Sequence, residues 1–171
     1  MTSNEEINEA DREIDFFDSS TKSETIVLSN NNQTASNHSS SRYTVCGKKI
    51  YSQGLHTIKV KMHNGGIIGV IDVNSRSTNQ LFYDHQQAYM YQGSKGSGYG
   101  TSLKWNGGKR EIYGEKYCQG DIITIHLDMN KKNISFSNKN NNFGIAYSNL
   151  PESVCFGAVL YGNSSMKITI L

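Results

Sequence analysis

The feature that most constrains this chain is a hydrophobic period of two. Leu55–Met62 reads LHTIKVKM, with Ile58, Val60 and Met62 on one side and Thr57, Lys59 and Lys61 on the other. Ile122–Met129 repeats the pattern: Ile123, Ile125, Leu127 and Met129 oppose Ile122, Thr124, His126 and Asp128. Such alternation sends successive side chains to opposite faces of an extended strand, one face suited to a core and the other to water. Thr25–Ser29, the apolar run Ile67–Asp72, Ile134–Phe136, Val154–Tyr161 and Met166–Leu171 read as further strands, the last two joined at Gly162-Asn163-Ser164. No helical pattern of useful length follows residue 20. Many short strands between glycine- and asparagine-rich turns predict an all-β fold, an antiparallel two-sheet β-sandwich whose end loops carry binding. With 171 residues the chain suits one such domain, hiding roughly 70% of its unfolded surface.

The formal net charge of +2 conceals a split. Residues 1–24 hold eight acidic side chains against two basic ones, a balance of −6, whereas residues 25–171 hold fifteen basic against seven acidic, +8. We therefore divide the chain into an acidic N-terminal tail, 1–24, and a basic domain, 25–171. Ile7, Ala10, Ile14 and Phe17 have roughly helical spacing, which admits a short helix or a tail docked on the domain. No run of eighteen apolar residues suggests membrane insertion, and the acidic start does not resemble a secretory signal. Cys46, Cys118 and Cys155 are odd in number and widely spaced, which predicts reduced thiols rather than a disulfide framework or zinc knuckle. The expected location is therefore cytoplasmic or nuclear, and the expected state monomeric.

Chemistry is sparse. Histidines 38, 56, 63, 85 and 126 have no metal-type spacing. His85 reads as a solvated loop residue, His126 as a sheet-surface residue, and His56 as a hydrogen-bonded structural one. The glycine-rich stretch 93–100 places Lys95 before most of its glycines with no helix following, unlike a phosphate-binding loop. No nucleophile stands in a recognisable frame. We expect no catalysis, no cofactor and no metal. The basic domain raises nucleic-acid binding as a reading, with Lys59 and Lys61 sharing a strand face, but the other lysines are scattered. Ten tyrosines are more informative. Tyr83, Tyr89, Tyr91 and Tyr99 crowd the loop-rich stretch 72–106, and Tyr161 ends a strand; a rigid ring with a polar tip suits recognition surfaces.

Several fragments, in order, carry a family pattern. Gly47–Met62 (GKKIYSQGLHTIKVKM) resembles the entry of a SPRY domain, where Tyr-Ser-x-Gly-x-His precedes a strand. Gly69-Val70-Ile71, Tyr113-Gly114-Glu115, Gly120-Asp121-Ile122-Ile123, Leu127-Asp128, Ile134-Ser135-Phe136, Phe143–Tyr147 and Leu150-Pro151 are similar to later elements of that family. Ile58 stands where the family has a core Trp, and the hairpin turn at Lys139-Asn140-Asn141 would use Asn where the family has Gly. The resemblance, over residues 25–171, implies a bent sandwich of concanavalin-like jelly-roll type. It also implies a non-catalytic protein-interaction module, an adaptor or substrate-recognition part of a larger complex such as a ubiquitin ligase. By similarity to the SOCS-box type of SPRY protein, it implies a peptide or protein partner gripped around Arg42 and Tyr43, Tyr89 and Tyr91, and Leu160, Tyr161 and Gly162. Lectin-like carbohydrate binding, which shares the architecture, and nucleic-acid binding are the alternatives.

Overall fold

The computed structural model describes residues 14–76, 81–93, 101–161 and 166–171. Among the described residues thirteen strands are arranged in two antiparallel sheets. They are β1 (Ile26–Ser29), β2 (Thr34–Asn37), β3 (Arg42–Cys46), β4 (Leu55–Met62), β5 (Ile67–Asp72), β6 (Ala88–Gln92), β7 (Leu103–Asn106), β8 (Lys109–Ile112), β9 (Ile122–Asp128), β10 (Asn133–Ser137), β11 (Asn142–Ser148), β12 (Val154–Tyr161) and β13 (Lys167–Ile170). One sheet has seven strands in the order β1-β2-β13-β4-β9-β10-β11; the other has six, β3-β12-β5-β6-β7-β8.

The alternating runs become strands with the expected faces. In β4, Ile58, Val60 and Met62 are buried while Lys59 and Lys61 keep partial access to water; in β9, Ile123, Ile125 and Leu127 are buried. These side chains meet Val45, Val70, Phe156 and Ala158 of the other sheet in one core between the layers. The glycine- and asparagine-rich turns behave as their chemistry requires. Asn30, Asn31 and Asn32, between β1 and β2, all take left-handed backbone, which asparagine tolerates. The turn before β11 is built differently from the expectation. Asn140 and Asn141 do not have positive φ; instead Oδ1 of Asn138 accepts both of their backbone N–H groups, at 2.9 and 2.7 Å.

A second apolar cluster lies on the other face of the six-stranded sheet. Ile67, Ile71, Met90, Leu103, Trp105, Cys155 and Val159 pack there beneath Phe82, which sits in a 3-10 turn at Phe82–Asp84. The sheet is therefore buried on both faces along β5 and β12, which explains why those two strands read as apolar runs rather than alternations. Close approach is enforced at Gly69, where an added Cβ would stand 2.0 Å from the carbonyl oxygen of Tyr89 on the neighbouring strand.

The packed structure begins before residue 25. Phe17 is buried against Phe156, with ring centroids 5.8 Å apart, and its N–H donates to the carbonyl of Asn32. Asp15 is buried too. Its carboxylate accepts from the N–H of Phe16, the N–H of Lys49 and the hydroxyl of Tyr51, at 2.8, 3.0 and 3.0 Å. The acidic boundary at residue 24 is a boundary of composition; in the packing, 14–24 forms a strap across the start of the domain. The proposed helix falls largely on residues 5–13, outside those described.

Candidate functional site

Arg42, at the start of β3, and Tyr161, at the end of β12, are register partners on adjacent strands. Arg42 is exposed, Tyr161 packs half-buried at the edge of both apolar clusters, and the Arg42 guanidinium lies over the Tyr161 ring, 4.7 Å from its centroid. The array continues across the sheet. Gln92, ending β6, donates from Nε2 to the Tyr161 hydroxyl at 3.4 Å, and its Oε1 accepts from the indole N–H of Trp105 at 2.9 Å. Arg110 of β8 stands 5.9 Å from the Trp105 ring. The result is a row of two guanidinium groups and two aromatic rings held by a buried amide. Arg42 and Arg110 are exposed, Tyr161 is half-buried, and Gln92 and Trp105 lie beneath. A buried amide with both ends engaged fixes the two rings before any partner arrives, which lowers the ordering cost of binding. Thr44, two residues along β3 from Arg42, is buried and its Oγ1 lacks a hydrogen-bond partner among the described residues.

The other expected site residues go elsewhere. Tyr43 and Leu160 are register partners one step from Arg42 and Tyr161, so the pleat turns them inward. Leu160 is fully buried in the inter-sheet core, and Tyr43 packs half-buried against it. Tyr91 is also core: it is fully buried among Tyr113, Tyr117, Phe136 and Phe143, and its hydroxyl donates to the carbonyl of Glu115. The expectation that the Tyr91 ring and the Leu160 side chain supply contact surface is therefore corrected; both sit on the inner face of a two-sided sheet. Tyr89 faces inward as well, half-buried and edge-on to Tyr147 at 5.4 Å. Burial, with Asp72 nearby, pushes its phenol pKa upward. Gly162 lies outside the described residues, as do Tyr99, the 94–100 stretch and the turn after β12.

Sequence reasoning missed Gln92, Trp105 and Arg110. The signal was present: Leu103 and Trp105 alternate with Lys104 and Asn106, a strand pattern submerged in a stretch taken for loop.

The fragments of the family pattern are structural. Tyr113 is buried, donates its hydroxyl to the carbonyl of Gly144 at 2.6 Å and accepts from the N–H of Phe136 at 3.1 Å; burial raises its pKa to about 12. Glu115 receives the side-chain amides of Asn138 and Asn141 at 2.9 and 2.7 Å. His56 makes a 2.6 Å hydrogen bond with the carbonyl of Gln53 and packs edge-on against Tyr51 at 4.8 Å. His126 Nε2 meets the hydroxyl of Ser137 at 2.8 Å on the sheet surface.

This fold and these motif contacts define a class. The SPRY domain model of protein families matches residues 55–170, and the chain belongs to that family. The crystal structure of the SPRY domain of human HERC1 superposes with a TM-score of 0.74 at 17% identity, covering 90% of this chain and 96% of that one. The TRIM65 PSpry domain gives 0.72 at 13% identity, with 92% of each chain covered. In sequence, 88 residues are 31% identical to the ATP-dependent RNA helicase Ddx1 of Drosophila melanogaster; they are 48% of this chain and span only 12% of the helicase. Domains of this family are in general protein-interaction modules. No helix among the described residues is long and apolar enough to cross a membrane.

Proposed function

We propose that this domain is a non-catalytic binding module that grips a peptide or partner surface through the Arg42–Tyr161 end of the six-stranded sheet, as the recognition part of a larger assembly. The observation that carries the reading is the stacked Arg42–Tyr161 pair braced by Gln92 and Trp105. Rigid aromatic and arginine side chains at a strand end are the groups that dominate interface energetics. The two guanidinium groups favour a partner segment carrying carboxylate or backbone carbonyl acceptors. The likeness to HERC1 and TRIM65 domains supports an adaptor role, and a place in ubiquitination is the finer form of that proposal.

Affinity capture from native lysate tests it, comparing the unaltered chain with Tyr161→Ala and Arg42→Ala. Partners recovered by the unaltered chain are expected to be lost with Tyr161→Ala and weakened with Arg42→Ala. Recovery of the same partners at unchanged affinity by both variants sinks the assignment.

A further inference from the structure

A second polar concavity opens at the same end of the sandwich but on the seven-stranded sheet. It is a cleft of about 460 Å³ lined by Ser36, His38, His63, Asn64, Gln119 and Lys167. Hydrogen bonds tie its walls together. The N–H of Lys167 donates to Asn64 Oδ1 at 2.8 Å, and the N–H of His63 donates to the carbonyl of Lys167 at 3.1 Å. Each imidazole is held by one nitrogen: His63 Nε2 meets the hydroxyl of Thr169 at 2.9 Å, and His38 Nε2 that of Ser36 at 3.1 Å. Nδ1 of both rings, the Lys167 ammonium and the Gln119 amide make no hydrogen bond or ion pair with the described residues. Four polar groups that can present N–H donors thus line one concavity without a partner among the described residues.

The charge is one-sided. Among the described residues no carboxylate lines the cleft. The nearby Asp121 turns its Oδ2 to the N–H of Cys118 at 2.7 Å. Burial, and then the charges of Lys167 and Lys61, hold the His63 imidazole below its ordinary pKa of 6.5. Uncompensated cations and imidazoles around a small concavity are the setting of an oxyanion site.

We propose that this cleft binds a phosphate monoester carried by a partner polypeptide, a phosphorylated serine or threonine. Lys167 supplies the charge and His38, His63 and Gln119 the orienting donors. A polynucleotide phosphate fits less well, because the outward residues of the neighbouring strands (Lys59, Lys61, Thr124, His126, Ser135, Thr169) include no Phe, Tyr or Trp on which bases could stack, and the one imidazole among them, His126, is engaged by Ser137. The proposal does not rest on the reading of the Arg42–Tyr161 array.

The test is an NMR titration of the full chain, following the imidazole signals of His38 and His63. The probes are inorganic phosphate, a phosphoserine peptide, its unphosphorylated counterpart and single-stranded RNA, all at matched ionic strength with chloride as control. Saturable shifts of both rings are expected with phosphate and the phosphopeptide but not with chloride or the unphosphorylated peptide. Lys167→Ala is expected to weaken phosphate roughly tenfold, the scale of one charge-assisted hydrogen bond, with its thermal unfolding unchanged. Tyr161→Ala is expected to leave phosphate binding intact, which separates this site from the array. Absence of saturable shifts with phosphate, equal affinity in a folded Lys167→Ala variant, or RNA binding more tightly than the phosphopeptide overturns the proposal.

Discussion

At the scale of the residue, the structure turns on whether buried polar atoms have partners. The Gln92 amide is engaged at both ends, by the Trp105 indole and the Tyr161 hydroxyl. Gln92→Leu strips the buried indole N–H of its acceptor, and we expect a loss of about 1–3 kcal/mol in urea unfolding, together with weaker partner binding because both rings lose their brace. Thr44 is the opposite case. Its buried hydroxyl lacks a partner among the described residues, so Thr44→Val, which keeps the shape and removes the polar atom, is expected to raise the unfolding midpoint. A lowered midpoint would show that the hydroxyl is satisfied. Gly69 is constrained by space alone. With a Cβ 2.0 Å from the Tyr89 carbonyl, Gly69→Ala must push β5 and β6 apart, and overpacking of this kind costs typically ~1–3 kcal/mol, occasionally more.

At the scale of the element, the strap formed by residues 14–24 belongs to the folded unit. Phe17→Ala removes a fully buried ring packed at a tilt against Phe156, and the expected destabilisation in denaturant titration is about 3–5 kcal/mol. Asp15→Ala leaves the N–H of Lys49 and the Tyr51 hydroxyl without their acceptor, for about 1–3 kcal/mol. Ile14, 45% exposed, is the internal control: Ile14→Ala is expected to fall within about 0.5 kcal/mol of the unaltered chain. If Phe17→Ala and Ile14→Ala behave alike, the strap is not part of the cooperative core. The acidic composition that sets the strap apart in sequence does not predict this, because the buried side chains are Asp15 and Phe17, and further ties are backbone hydrogen bonds of Phe16 and Asp18 and the Asp18–Arg76 ion pair at 3.9 Å.

At the scale of the whole molecule, proton binding couples to folding through two surface-facing histidines and one aspartate. Burial lowers His126, and burial with Lys167 and Lys61 lowers His63, from the ordinary 6.5. The unfolded chain therefore takes up protons at higher pH than the folded one. Their contribution to stability is complete above pH 6.5 and declines as the pH falls through 6.5 toward the folded values. For Asp18, partial burial raises the pKa, but hydrogen bonds from Ser20 and the charges of Arg76 and Lys48 outweigh it. The net shift is downward from 3.8, so its contribution is present above 3.8 and is lost as the pH falls through the lower, folded value. Thermal unfolding followed by circular dichroism is expected to show a midpoint declining below pH 6.5 and again below 3.8. His126→Gln is expected to flatten the first decline; an unaltered slope would remove His126 as a contributor.

The sequence by itself determined the strands whose two faces meet different media. β4 and β9 each have a core side and a water side, and that difference is written locally as a period of two. The resemblance to the family pointed to the neighbourhoods of Arg42 and Tyr161; that the two are register partners on adjacent strands is a product of the tertiary structure. Only the tertiary structure decided the fates of Tyr91 and Leu160. Along β5, β12 and most of β6 the six-stranded sheet is covered on both faces, by the other sheet and by the segment bearing Phe82, so residues there are buried whichever way they point, and no local pattern distinguishes a tyrosine that anchors a ligand from one that fills a core. β7 and β8 differ: they pair locally as a hairpin closed by Gly107-Gly108, a short-range signal lost in a stretch read as loop. The Gln92–Trp105 brace and the His38–His63–Lys167 cleft were invisible for the same physical reason: they join side chains from strands that hydrogen bonding, not sequence proximity, brings together.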